Sequence, residues 1–96
     1  MTKDLGMPDW AEQIAAEVVT AYGLSMPEIQ WRQSEDGERS SSGHVRRHLT
    51  ELVVTAGSDE QDQKLTLLHE LAHWVTAGHH GTEFWVVAFD LYEKAT

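Results

Sequence analysis

The sequence contains no cysteine among its 96 residues. This absence excludes disulfide bonds, thiolate zinc ligands and cysteine nucleophiles together. Any metal bound by this chain must therefore be held by His, Asp or Glu side chains. A domain of this size buries only about 60–65% of the surface that its unfolded chain exposes, so a bound metal would add to a small margin of stability.

Basic residues are few and long apolar runs are missing. Seven Lys and Arg residues stand against sixteen Asp and Glu residues, which gives a net charge of −9. That charge repels phosphate backbones, so we expect no nucleic-acid binding by this chain alone. No apolar run approaches the ~20 residues of a membrane span, and the opening MTKDLGMPDW lacks the apolar core of a signal peptide. We therefore predict a cytoplasmic monomer without membrane contact.

The length leaves room for a single domain, residues 1–96. Helical spacing of apolar residues predicts a first helix over residues 9–22, opened by a capping box of Asp9 and Glu12. Alternating or β-branched residues predict strands over 28–32, 44–48 and 52–55, with a polar loop over 34–43.

Two further helices are expected in the second half of the chain. Ser58 and Gln61 form a second capping box, which opens a helix that runs to Ala77 and stops at Gly78. The last helix starts at Thr82 and packs through Phe84, Val87, Ala88 and Leu91. The expected fold class is α+β: an N-terminal helix, a small three-stranded and mostly antiparallel sheet, a second helix and a C-terminal helix.

The middle of the second predicted helix reads His69-Glu70-Leu71-Ala72-His73, the pattern H-E-x-x-H. Four residues advance a helix by about 6 Å and about 400°, so both histidines lie on nearly the same face. From there both imidazoles can reach one zinc ion at about 2.0–2.1 Å. Glu70 lies about 100° further round the helix, where its carboxylate can act as general base toward a water on the metal.

A catalytic zinc usually has three protein ligands. The third candidate comes from the segment that follows the helix, where His79, His80 and Glu83 are all available. Gly78 lets the chain turn back toward the metal, and a ligand at this junction would be held between two packed helices. One of the two histidines can instead cap the preceding helix, because a His in the last turn suits the helix dipole.

The two segments together resemble the active-site region of SprT-like zinc metallopeptidases. The resemblance covers residues 69–85, in which HELAH is followed by His80-Gly81-Thr82-Glu83-Phe84-Trp85. It implies a minimal zincin domain in which His69, His73 and His80 bind one Zn²⁺ and Glu70 is the catalytic acid and base. The gap of six residues before His80 is short, and a gap of five would select His79. In very small gluzincin-type peptidases the third ligand is a Glu on the next helix, which in this sequence would be Glu83.

The function expected from these residues is zinc-dependent hydrolysis of peptide bonds in a peptide or protein substrate. An alternative is a non-catalytic module in which zinc is a structural staple or supports peptide binding, and a structural site would be closed by a fourth protein ligand.

Other residues carry weaker signals. Tyr22 and Tyr92 are the two phenols able to stabilise an oxyanion, and the sequence places neither near the metal. His44, Arg46, Arg47 and His48 form a basic cluster that is either a substrate-binding group or a solvated strand face. The four tryptophans are spaced as core residues, namely Trp10, Trp31, Trp74 and Trp85.

Overall fold

The computed structural model describes residues 7–34, 39–76 and 81–95. In these ranges the chain forms three α-helices and three strands, which confirms the α+β class and the expected order of elements. The elements are α1 (Asp9–Ala21), β1 (Glu28–Gln33), β2 (Ser42–Arg46), β3 (Glu51–Ala56), α2 (Glu60–Thr76) and α3 (Thr82–Ala95). None of the helices in this part of the chain has the length and apolar content needed to cross a bilayer.

The sheet is mixed, with the strand order β1-β3-β2. β3 lies in the middle, parallel to β1 and antiparallel to β2. The predicted antiparallel pairing is confirmed for β2 and β3 and is wrong for β1 and β3. The parallel pair arises because β3 lies between the two strands that precede it. Strand propensity does not predict such long-range pairing.

The second strand ends earlier than the predicted range 44–48. β2 stops at Arg46, and Arg47–Leu49 form a short 3₁₀ helix. Thr50 then takes a positive φ of 49°, which reverses the chain into β3. The basic residues 47 and 48 therefore belong to a connection rather than to a strand.

Both predicted capping boxes are wrong in detail. The N-cap of α1 is Pro8, whose side chain has no polar atom, and Asp9 is the first helical residue. For α2 the capping residue is Asp59 rather than Ser58, because Asp59 Oδ1 accepts the N–H of Gln61 at 3.0 Å. Ser and Asp are both good N-caps, so adjacent candidates compete and backbone geometry decides. The predicted helix end at Ala77 and Gly78 lies outside the described residues.

One face of the sheet and the inner faces of the helices form the core. Trp10 on α1 meets Trp31 on β1 edge to face, with ring centroids 5.9 Å apart. α2 runs through the middle of this core, and the expected contacts of α3 through Phe84, Val87, Ala88 and Leu91 are all buried. α2 therefore carries its histidines between the sheet and α3.

Candidate metal centre and catalytic pocket

His69 and His73 lie one turn apart on the side of α2 that meets α3. Both side chains are half-buried, and their ring centroids are 4.9 Å apart with the ring planes at 73°. The opposite side of the same two turns carries Leu67, Leu68 and Leu71, which are fully buried. Burial of this leucine face fixes the rotation of α2, and the rotation fixes the direction of the two imidazoles.

Phe84 on α3 packs against both histidine rings. Its ring centroid is 4.4 Å from that of His73 and 5.1 Å from that of His69. Phe84 is only 1% exposed, so its own position is set by the core. A closely packed aromatic ring of this kind limits the rotamers available to its neighbours, and Phe84 therefore holds the two imidazoles in place.

Glu70 is buried, with an exposed fraction of 6%. Strand β2 covers it at Gly43, where an added Cβ atom would lie 2.8 Å from Glu70 Cγ and 2.6 Å from the carbonyl oxygen of Val53. A residue with any side chain at position 43 would therefore collide with Glu70 or the β3 backbone. Burial raises the pKa of the Glu70 carboxyl from its ordinary value of 4.5 to about 7.

A pocket with a volume of about 330 Å³ opens beside His69 and Glu70. Its walls come from the start of β2, from α2 and from α3, through Ser41, Ser42, Gly43, Leu65, Thr66, His69, Glu70 and Tyr92. Burial and the nearby charge of Glu70 raise the pKa of the Tyr92 phenol above its usual range. The pocket thus combines one imidazole, one carboxyl group and one phenol, a set of groups typical of acid–base chemistry.

The β2 wall of this pocket is fastened to the first turn of α2. The backbone N–H of Ser41 donates a hydrogen bond to Asp62, and Ser41 Oγ accepts the N–H of Gly57 at 2.9 Å. Gln63 Nε2 donates to the carbonyl oxygen of Gly57 at 2.6 Å. Because these bonds join the strand to the helix that carries Glu70, the two walls of the pocket keep a fixed separation.

The spacing of His69 and His73 fits two ligands of one zinc ion. Two imidazoles bound through nitrogen to one tetrahedral ion have ring centroids about 5 Å apart, close to the separation of His69 and His73. A cation held by these two histidines would favour the charged form of the neighbouring Glu70 carboxyl. Two histidines on one helix face and an adjacent carboxyl group are the residue types that a zinc site of the H-E-x-x-H type uses.

The structure does not identify a third ligand among the residues that it describes. His80 and the alternative His79 both lie outside the ranges that the structure describes. Glu83, the other alternative, has an exposed side chain at the start of α3. Across residues 7–34, 39–76 and 81–95, no three His, Asp or Glu side chains converge as a metal-binding group.

Other sequence candidates lie away from this pocket. Gly43 faces Glu70, so the alternation of β2 puts His44 and Arg46 on the opposite face of the sheet. There Arg46 Nη1 forms an ion pair with Glu51 Oε1 at 3.4 Å. Tyr22 lies just after α1 and lines a different, smaller cleft with Leu68 and Leu91. His44 and Arg46 are therefore not part of the candidate site, and of the two tyrosines only Tyr92 lines this pocket.

Two features of the site were missed from the sequence. Trp85 is 39% exposed and lies 6.4 Å from the His69 ring, although its spacing suggested a core residue. It is about 100° round the helix from Phe84, so it falls beside the core face rather than on it. The sequence predicts Gly43 to lie in a polar loop, whereas it lies in β2, where a glycine is a sign of close backbone approach.

Comparison with protein-family models, with curated proteins and with solved structures gives no match to this chain.

Proposed function

We propose that this protein is a zinc-dependent peptidase in which His69, His73 and His80 hold the metal and Glu70 is the general base. The observation that carries the proposal is a pair of imidazoles 4.9 Å apart on one helix, of which His69 lines an open pocket together with the buried carboxyl group of Glu70. When bound, zinc supplies a Lewis acid that lowers the pKa of a coordinated water toward ~7 and polarises the scissile carbonyl. The remaining chemistry belongs to residues of the chain.

Glu70 takes the proton from the attacking water and returns it to the nitrogen of the leaving amine. In the metal-free chain, burial raises the pKa of this carboxyl to about 7. A bound cation beside this carboxyl would favour its charged, proton-accepting form at the start of the reaction. Its burial beneath Gly43 keeps the carboxylate in one orientation, which acid–base catalysis requires.

Tyr92 is the candidate for stabilising negative charge on the substrate. Its side chain lines the pocket from the α3 side, together with His69 and Glu70 from α2. A raised pKa keeps the phenol protonated, so its O–H can donate a hydrogen bond to the oxygen of the carbonyl under attack.

β2 offers a way to align the substrate. It is the edge strand beside the pocket in the described part of the sheet, and Gly43 lies over Glu70. An extended polypeptide can add to such an edge through backbone hydrogen bonds, which brings a peptide bond to Glu70 with little dependence on side chains. We therefore expect cleavage of unfolded or extended segments rather than of folded domains.

The direct experiment measures metal content and hydrolysis on the same preparation. Protein purified without chelator should contain about one zinc per chain, cleave casein as an unfolded substrate, lose both zinc and activity on chelation, and recover both when zinc is returned. Absence of a transition metal together with no uptake on titration would overturn the proposal. Tight zinc binding through four protein ligands, without hydrolysis, would instead support a structural staple.

A further inference from the structure

α3 carries an exposed apolar face in an otherwise acidic protein. Phe89 is 61% exposed and Val86 is 64% exposed, while Trp85 is 39% exposed. The rings of Trp85 and Phe89 are 5.5 Å apart at 31°, and those of Phe89 and Tyr92 are 6.2 Å apart. We call Trp85, Phe89 and Tyr92 the aromatic ridge. A cluster of exposed aromatic rings on a small domain is typical of a binding surface.

Both ends of the aromatic ridge reach the candidate site. At one end the ring of Trp85 is 6.4 Å from that of His69. At the other end Tyr92 lines the pocket beside Glu70, and the exposed side chain of Leu65 lines the same pocket. The ridge is therefore within reach of a polypeptide whose peptide bond lies in this pocket.

The charge of the chain selects among possible occupants of the ridge. A second copy would bring together two chains of net charge −9, and like charges oppose that association. α3 itself carries three acidic residues, and its one basic residue, Lys94, is paired with Asp90 at 3.2 Å. These charges favour a positively charged partner, and exposed aromatic rings bind both apolar side chains and cationic ones.

We propose that the aromatic ridge is a substrate subsite for a large apolar side chain of a positively charged, extended polypeptide segment. This assignment rests on the proposed function, because it takes the scissile bond of that segment to lie in the pocket beside Glu70. Backbone pairing with β2 then holds the segment, and the ridge determines which side chain stands next to the cleaved bond.

The test compares two substitutions on one helix. Phe89→Ser removes the central ring of the ridge, and Val86→Ser removes a side chain of similar exposure that is not part of it. Both are made in a Glu70→Gln background, so that binding is measured without cleavage. The probe is a fluorescein-labelled, lysine-containing peptide with one central Phe, and its binding is measured by fluorescence anisotropy. Two control peptides are measured in the same way. The Ser twin has Ser in place of Phe, and the Glu twin has Glu in place of Lys.

We expect Phe89→Ser to weaken binding of the Phe peptide roughly tenfold, the loss typical of a well-packed anchor, and Val86→Ser to change it roughly twofold or less. The Ser twin and the Glu twin should bind more weakly than the Phe peptide to the parent protein. Equal effects of the two substitutions would overturn the subsite. So would sedimentation showing a dimer of the parent protein that Phe89→Ser dissociates, since a second copy would then occupy the ridge.

The outcome for the ridge can be separated from that for the proposed function by kinetics on the protein with Glu70 intact. Cleavage of the Phe peptide and its Ser twin with equal KM would overturn the ridge and leave the peptidase proposal standing. Ridge-dependent binding by zinc-loaded protein that cleaves neither peptide would overturn hydrolysis and leave the ridge as a peptide-binding surface.

Discussion

The backbone of Gly43 lies directly against the side chain of Glu70. A Cβ atom at position 43 would come within 2.8 Å of Glu70 Cγ and 3.3 Å of its Cδ. Two residues distant in sequence, one on the edge strand and one on the central helix, therefore share a single packing space. The consequence is a carboxyl group that is held still and largely removed from water at the wall of an open pocket.

Gly43→Ala is expected to reduce hydrolysis by displacing Glu70. There is no room for the added methyl group, so it moves either the carboxylate or the strand. We expect this overpacking to lower the free energy of unfolding by about 1–3 kcal/mol. The measurements are kcat and the free energy of unfolding in denaturant.

Gly81→Ala is the matched control, because a Cβ atom there meets no atom of the described residues within 4 Å. That variant should retain the unfolding free energy of the parent protein. A Gly43→Ala protein as stable and active as the parent would show that the close contact is unimportant.

The metal-free protein should lose stability as the pH rises from about 4.5 to about 7. In this window the folded state, with the Glu70 pKa near 7, binds a proton that the unfolded state, with a pKa near 4.5, has released. The protonated carboxyl therefore contributes up to about 3 kcal/mol to the free energy of unfolding. This contribution is fully present below about pH 4.5 and is lost above about pH 7.

The measurement for this pH dependence is denaturant unfolding of chelator-treated protein at a series of pH values. Glu70→Gln carries no titrating group at position 70, so its unfolding free energy should vary less across the same window. Parallel curves for the two proteins would contradict the burial of a titrating carboxyl.

Tyr92→Phe is expected to lower kcat without releasing zinc. Loss of one hydrogen-bond donor to a developing oxyanion costs roughly 10²-fold in kcat, while the ring still fills its place beside Phe89. Tyr22→Phe is the matched control, because Tyr22 lines a separate cleft. Equal kcat values for the two variants would remove Tyr92 from the mechanism.

Local spacing was enough to predict the elements that carry the site. His69, Glu70 and His73 lie on the helix that the sequence indicated, because their separation depends only on the helical repeat. The buried face of α3 was predicted for the same reason. The N-cap of α2 was wrong by one residue, since Ser58 and Asp59 have similar capping preference.

The pocket depends on contacts that no local pattern contains. Gly43 reaches Glu70 only because β2 is the strand of the sheet that packs over this turn of α2. Tyr92 enters the pocket only because α3 packs along the same helix, an arrangement set by tertiary packing rather than by helix propensity. Trp85 is exposed because it directly follows Phe84 and therefore lies about 100° round the helix from the core face.

The central claim, that Glu70 is the general base of a zinc peptidase, is tested most directly by Glu70→Gln measured beside His73→Ala. We expect Glu70→Gln to keep about one zinc per chain and its melting temperature, and to lose roughly 10²–10⁴-fold in the rate of peptide hydrolysis. His73→Ala should lose zinc and stability together, since it removes a ligand that stabilises the folded state by binding metal. Equal rates of hydrolysis by the parent protein and Glu70→Gln, at equal zinc content, would contradict the claim.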